Sequence, residues 1–447
     1  MRTIGVIGAG HVGLVTAACF AHMGNRVCCA DSNAKKIADL RERKMPFYEP
    51  GLSSLVAAGR RKGLLSFTTS LAELTRECEI LFIAVGTPPT PTGRADLSFV
   101  EQASVEIAST LAQMARDRRG SRSLYRLIVE KSTVPVRTGD WVRKTIELLT
   151  PTGVSFDVAA NPEFLREGSA VVDFLKPDRI VIGVETRRAE RIFRELYAPL
   201  DAPLVITDIR SAEMIKHASN SFLAMKISYL NAVARICEKV GADIEDVAVG
   251  MGYDRRIGKS FLKAGVGYGG SCFPKDVAAF IALAQEVGYD FRLLAEVARI
   301  NEEQRSLVVE KVRELLWNIR GKTICVLGLS FKPDTDDIRE SPALEICRLL
   351  LAEGAAVNCY DPKAMDNARQ ALPQLGLRES PYDAARDADA VLFLTEWKEF
   401  SKIDFRKLRS VMKSPYAIDG RNFLNLHALR KAGFVCRAIG RPPEATT

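Results

Sequence analysis

The feature that most constrains this chain is a recurrence of its own opening. Thr3 to Ile7 is apolar, Gly8-Ala9-Gly10-His11-Val12-Gly13 follows, a helical stretch reaches Met23, and Arg26 to Ala30 ends at Asp31. This order of strand, glycine turn, helix and strand opens a doubly wound parallel sheet. Far downstream, Lys322-Thr323-Ile324-Cys325-Val326-Leu327-Gly328 echoes Arg2 to Gly8, and Ala352 to Asp361 echoes His22 to Asp31. The second copy carries ten extra residues in its turn, around Phe331 to Glu340. A chain that repeats such a unit reads as two nucleotide-binding α/β domains.

Apolar runs at Ile80 to Val85, Leu127 to Val129, Asp157 to Ala160 and Ile180 to Gly183 alternate with helical stretches, as further parallel strands do. From Ser211 to Val240 the pattern is helical, with Ser211 as the expected cap and Gly241 as the stop. Such a helix spans about 45 Å, enough for a spine between domains or a dimer interface. More helix follows to about residue 317. The expected architecture is α/β: two Rossmann-like doubly wound parallel-sheet domains, at 1–205 and 318–447, joined by a helical central domain at 206–317 that contains the spine helix.

The 447 residues suffice for about three compact units. Lys and Arg (63) exceed Asp and Glu (55), for a net charge of +8. That excess suits anionic small molecules and falls short of the concentrated footprint of a nucleic-acid binder. The densest basic stretch, Arg116 to Arg126, reads as a solvated loop. The opening residues lack the pattern of a secretory signal, and no apolar run approaches the about 20 residues of a membrane span. Ten scattered cysteines without a C-x-x-C and four histidines fit a reducing cytoplasm, with neither a zinc site nor a disulfide framework expected.

Gly8, Gly10 and Gly13 have dinucleotide spacing: the first allows a tight turn, the second admits backbone to a pyrophosphate, and the third lets helix and strand pack closely. Asp31, at the end of the next strand, is placed to bind a ribose 2′-hydroxyl and repel a 2′-phosphate, so NAD is expected over NADP. The second copy offers Phe331-Lys332-Pro333-Asp334 instead of the glycines. It either binds another nucleotide, with Lys332 reaching a phosphate, or keeps only the fold.

Gly265-Val266-Gly267-Tyr268-Gly269-Gly270-Ser271-Cys272-Phe273-Pro274-Lys275-Asp276 is the most informative segment. Pro274 suits the first turn of a helix running through Val277 to Val287, which puts Cys272 just ahead of its N-terminus. The helix dipole and nearby Lys275 favour thiolate, so Cys272 is the candidate nucleophile, with Asp276 one turn away. Lys216 and Asn220 are four apart on the spine helix and read either as donors to an oxyanion or as part of a solvated stripe. Asn161-Pro162-Glu163-Phe164-Leu165-Arg166-Glu167-Gly168 predicts a cap, one helical turn and a glycine stop, placing Glu163 and Glu167 on one face. Those carboxylates serve either proton transfer or only the dipole.

Taken together with VGTPPTPTGRADLSFV, EKSTVPV, SAEMIKHASNSFLAMKISYLNA, GLSFKPDTDDIRES and IDGRNF, in that order, these segments resemble the UDP-glucose/GDP-mannose dehydrogenase family over nearly the whole chain. The resemblance implies NAD-dependent oxidation of a nucleotide sugar's C6 alcohol to a carboxylate, consuming two NAD. UDP-glucose is the implied substrate, and GDP-mannose or a UDP-N-acetylhexosamine the alternative. A non-catalytic NAD and nucleotide-sugar sensor is the rival from another class, which the presence of Cys272, Lys216, Asn220 and Asp276 disfavours.

The same resemblance implies that Cys272 attacks a C6 aldehyde, giving a thiohemiacetal and then a thioester that water hydrolyses. Lys216 and Asn220 would stabilise the oxyanion, and Asp276, Glu167 and Thr133 would move protons or order water. NAD would be met by Val12, Asp31, Lys36, Thr87, Thr133, Glu167, Lys275 and Arg339. The sugar nucleotide would be met by Glu163, Phe164, Leu165, Arg166 and Glu167, by Lys216 and Asn220, and by Lys263, Ala264, Gly265, Val266 and Gly267. Phe331, Lys332 and Arg421 would join them, and Arg256 would reach across from the partner of a homodimer. Two departures stand out: His11 occupies a position usually held by tyrosine, and Lys263 a position that varies among bacterial relatives.

Overall fold

The computed structural model describes residues 1–117, 125–152 and 154–442. Most of the basic stretch Arg116 to Arg126 therefore lies outside the described residues. The chain divides into two compact units, Met1–Ser219 with Ala278–Gly288, and Asn220–Val277 with Tyr289–Thr447.

The first unit is built on eight strands: β1 (Thr3–Ile7), β2 (Arg26–Ala30), β3 (Leu65–Thr68), β4 (Ile80–Ile83), β5 (Tyr125–Glu130), β6 (Ser155–Ala160), β7 (Ile180–Gly183) and β8 (Leu204–Thr207). They lie in the order β3-β2-β1-β4-β5-β6-β7-β8. The strands are parallel except that β7 runs antiparallel to β6, which corrects the expectation that Ile180 to Gly183 would add a further parallel strand there. Helices cover both faces, so central strands such as β4 are buried throughout, as continuous apolar runs require. One face packs Phe20 against Phe82 and Phe174, with ring centroids 5.1 and 5.2 Å apart. The other packs Leu74, Leu81, Ile107 and Leu111.

The second unit carries β9 (Thr323–Leu327), β10 (Ala356–Tyr360), β11 (Gly376–Leu377), β12 (Ala390–Phe393), β13 (Tyr416–Asp419) and β14 (Val435–Ala438). Their order is β11-β10-β9-β12-β13-β14, all parallel, repeating the strand order around β1. The duplication read from the sequence is thus a duplication of the fold.

The spine helix runs from Ile209 to Val240, two residues earlier than expected. Asp208 rather than Ser211 caps it, accepting the Ser211 amide at 2.9 Å and the Ser211 hydroxyl at 2.6 Å. A carboxylate accepts without donating and wins the cap over a hydroxyl three residues on. Gly241 stops the helix with φ +78°, as expected. Among the described residues no helix is long and apolar enough to cross a membrane, and no group of three or more His, Cys, Asp or Glu is placed to hold a metal.

Candidate active site

The cradle after β1 has the geometry a dinucleotide needs. Gly8 has φ +103°, and a Cβ there would stand 2.5 Å from the Ala84 carbonyl oxygen. At Gly13 a Cβ would be 1.9 Å from the Gly8 carbonyl, whereas at Gly10 it would meet nothing within 4 Å. Gly8 and Gly13 are therefore glycine because the turn closes on itself, whereas Gly10 leaves open space beside the start of the helix His11–His22. Val12 lies in its first turn, half-buried.

Asp31 Oδ2 accepts from the Ala9 amide and from Lys36 Nζ, each at 2.8 Å, and Oδ1 accepts from the Asn33 amide at 3.0 Å. Burial alone would raise its pKa, but these donors outweigh burial and hold it below the usual carboxylate range. An ionised carboxylate is what a ribose diol favours and a 2′-phosphate avoids.

Asp361 occupies the same place in the duplicate but is fully spent on the protein. Its Oδ2 accepts from Leu329 N, Ser330 N, Ser330 Oγ and Trp397 Nε1 at 2.7 to 3.1 Å. Its Oδ1 accepts from the amides of Lys363 and Ala364, both at 2.8 Å. It is 1 % exposed, so it has neither lone pairs nor access for a ribose.

Of the remaining candidate residues of the first unit, Thr87, Thr133 and Glu163 to Glu167 follow the carboxyl ends of β4, β5 and β6, where α/β sheets bind ligands, and Lys216 lies on the spine helix. Thr87 Oγ1 donates to the Thr133 carbonyl at 2.9 Å, tying the loop after β4 to the turn after β5. Lys216 Nζ donates to the Glu163 carbonyl at 2.6 Å and to Glu163 Oε1 at 3.1 Å, and lies 5.3 Å from the Phe164 ring. Lys216 is thus buried and engaged rather than part of a solvated stripe.

The helical turn expected at 161–168 is absent: residues 161–166 form an irregular loop. The Asn161 side chain points into the core instead of capping, donating to the Val181 carbonyl at 2.9 Å and accepting from Lys131 Nζ at 3.2 Å and from the Tyr197 hydroxyl. Glu163 and Glu167 are both buried, but no helical face places them together. Glu49 orders the chain just beyond the loop, accepting the Gly168 amide at 2.7 Å and the Ala170 amide at 2.9 Å. His11 Nε2 lies 3.0 Å from Glu49 Oε2. Arg166 turns outward to Asp173, at 2.6 Å.

In the second unit, Cys272 immediately precedes the helix Phe273–Glu286, and its carbonyl accepts the Asp276 amide at 2.9 Å. It is the only cysteine of the ten that is not buried. Its Sγ lies 3.6 Å from Ser271 Oγ. Asp276 Oδ2 accepts from Asn220 Nδ2 at 2.6 Å, and Oδ1 from Lys275 Nζ at 2.7 Å. With both oxygens receiving donors, Asp276 is an acceptor one turn from a partly exposed thiol.

The ten extra residues of the second copy pack against this cysteine loop. Gly270 donates to the Arg339 carbonyl at 2.9 Å, and a Cβ at Gly270 would stand 2.7 Å from the Phe331 ring. Arg421 straps the same region, donating to the carbonyls of Gly267, Phe331 and Leu394 at 2.8 to 2.9 Å. The Ala264 to Gly267 segment is buried, fixed by the Gly265 amide to Asn231 Oδ1 at 2.8 Å and the Val266 amide to the Gly420 carbonyl at 2.9 Å. Lys332 Nζ lies 5.5 Å from the Phe331 ring. Lys263 and Arg256 are exposed, Arg256 pairing with Asp254 at 2.6 Å, and Arg339 turns to Asp337.

Glu130, Lys131, Glu213, Glu49 and Asn231 escaped the sequence reading. Glu213 had a signal, since it lies one turn before Lys216 on the spine helix. For the others nothing local marks the partner.

Residues 2–201 match the NAD binding domain of the UDP-glucose/GDP-mannose dehydrogenase family, residues 210–303 its central domain, and residues 325–426 its UDP binding domain. A UDP-glucose 6-dehydrogenase of Bacillus subtilis (strain 168) is 45% identical over 99% of this chain and 94% of its own. One of Rhizobium meliloti (strain 1021) is 46% identical over 98% and 99%. The structure of a UDP-glucose dehydrogenase from Pyrobaculum islandicum superposes with a TM-score of 0.91 at 38% identity, covering 99% of this chain and 98% of that one. With the glycine cradle, the cysteine at a helix start and the three domains all in register, the chain belongs to the UDP-glucose/GDP-mannose dehydrogenase family.

Proposed function

We propose that this chain oxidises the C6 alcohol of UDP-glucose to the carboxylate of UDP-glucuronate, reducing two NAD in succession. The observation that carries the reading is Cys272 at the start of its helix with the Asn220–Asp276–Lys275 cluster one turn on, in a chain 45 to 46% identical to two UDP-glucose 6-dehydrogenases. UDP-glucose is preferred to other sugars on the same ground, since structures of UDP-N-acetylmannosamine and GDP-mannose dehydrogenases are 25 to 29% identical.

Gly8, Gly10, Val12, Gly13, Asp31, Lys36, Thr87 and Thr133 hold NAD, with Glu167, Lys275 and Arg339, and NAD supplies the acceptor for each two-electron oxidation. Once C6 is an aldehyde, Cys272 Sγ bonds to it and the carbonyl becomes an oxyanion. Lys216 and Asn220 stabilise that charge as preorganised donors. The second oxidation leaves a thioester, and water attacks it, breaking the C–S bond to release the carboxylate and restore the thiol. Asp276, Glu167 and Thr133 take the protons and order the water. Glu163 to Arg166, Lys263 to Gly267, Phe331, Lys332 and Arg421 hold the sugar nucleotide.

The domains run 1–205, 206–317 and 318–447, and the protein is a cytoplasmic homodimer. Phe222, Tyr229, Ile236 and Val240, each more than half exposed along one face of the spine helix, supply an apolar stripe for the second copy. Arg256, exposed on the loop beyond the next helix, reaches the partner's sugar. Ten cysteines, all free, suit a reducing compartment.

The test is NADH formation from purified protein and NAD with UDP-glucose, GDP-mannose or UDP-N-acetylglucosamine. Turnover with UDP-glucose is expected. Turnover only with another sugar replaces the substrate, and NAD binding without turnover on any of them favours a sensor.

A further inference from the structure

Two buried carboxyls behind the turn that carries Thr133 are used by none of these steps. Glu130 ends β5, is 2 % exposed, and receives no hydrogen bond from any donor among the described residues. Its carboxyl meets that of Glu213, 4 % exposed, on the spine helix. Both abut Gly139: a Cβ there would stand 3.3 Å from Glu130 Oε2 and 3.5 Å from Glu213 Oε1.

Two carboxylates cannot both ionise in such a place, because burial and mutual repulsion oppose the second charge. Their surroundings decide which keeps the proton. Glu213 Oε2 accepts the Arg137 amide at 2.7 Å and Oε1 the Gly139 amide at 2.9 Å, so its charge is the better compensated of the two at the start of the helix Thr138–Leu149, although burial still raises its pKa. Glu130 has no such donors, and burial first, then Glu213, pushes its pKa well up. Asp140 adds repulsion to both. Nearby, Lys131 is turned to Asn161, His217 Nε2 meets the Val134 carbonyl at 2.7 Å, and Lys216 lines the same small pocket as Glu130, Glu213 and Thr133.

We infer that Glu130 is held as a carboxylic acid donating its proton to Glu213, and that this shared proton fixes the turn of residues 131–137 against the spine helix. Glu130 and Glu213 are thus positioning residues for Thr133 on the turn and for Lys216, one helical turn beyond Glu213. Their effect on catalysis rests on the proposed placing of Thr133 against NAD. The proton itself does not.

The experiment pairs infrared spectroscopy with kinetics on the full-length enzyme. Wild type is expected to show the C=O stretch of a protonated, water-excluded carboxylic acid that persists above the pH at which an exposed glutamate ionises and disappears in Glu130→Gln. Glu130→Leu removes the donor and is expected to raise the KM for NAD about tenfold, while Glu130→Gln, whose amide still donates to Glu213, restores it to within about twofold. Absence of the band, or its survival in Glu130→Gln, overturns the shared proton even if Glu130→Leu does not fold. Equal impairment in both variants overturns the positioning role. Wild type that shows the band but makes no NADH overturns the functional reading and leaves the proton pair standing.

Discussion

Asn220 Nδ2 donates to Asp276 Oδ2 at 2.6 Å, which fixes the amide's orientation and leaves Asp276 an acceptor one turn beyond Cys272. The relationship joins the spine helix to the cysteine helix within the second unit. An amide at 276 cannot accept from both Asn220 and Lys275 without presenting its own N–H to one of them. Asp276→Asn is therefore expected to lower kcat by about 10² to 10³ while leaving the KM for NAD within about twofold, as read by steady-state kinetics.

On the proposed reading, Asp31 governs cofactor choice through its charge. Asp31→Asn is expected to weaken NAD about tenfold and to narrow the preference for NAD over NADP, measured by fluorescence titration with both. Its folded pKa lies below the ordinary carboxylate value, so the contribution of its charge is fully present above about pH 4 and is lost as pH falls through the depressed value. The affinity gap between wild type and Asp31→Asn is set by ionisation in the folded protein, so it should stay flat down to that depressed value and close beneath it.

Arg421 spans three backbone carbonyls with one guanidinium, a task that an ammonium cannot share out in the same geometry. Arg421→Lys is expected to raise the KM for UDP-glucose about tenfold, to leave the KM for NAD unchanged, and to cost about 1–2 kcal/mol in denaturant unfolding.

Lys131 is wholly buried, and burial pushes its pKa down to about 8 from the usual 10.5. Between those values the unfolded chain binds the proton and the folded chain does not, so stability rises with pH there. Wild type should gain on Lys131→Met from about pH 8 to about pH 10.5, by no more than about 3 kcal/mol, in thermal midpoints measured across that range. A flat difference contradicts it.

What the sequence disclosed and what it withheld divide along the range of the interactions. Gly8, Gly10, Gly13 and Asp31 act within one strand–turn–helix unit, and the cysteine segment announces its helix through Pro274, so both were legible. The duplicate's Asp361 looked like Asp31, but its fate was set by Trp397, which approaches only once β12 lies beside β9. The loop at 161–168 defeated local reading for the same reason: Asn161 is drawn inward by Lys131, Val181 and Tyr197, and a cap that has better partners elsewhere does not start a helix. Glu130 and Glu213 belong to a strand and a helix far apart in the chain, and nothing near either residue names the other.

The proposed route, in which Cys272 carries the sugar through the second oxidation, is tested most directly by the number of NADH formed per UDP-glucose consumed, in wild type and in Cys272→Ala. Wild type should give two NADH with UDP-glucuronate as product, while Cys272→Ala binds NAD normally and forms no sugar acid. Two NADH per sugar at wild-type rate from Cys272→Ala would contradict the covalent route.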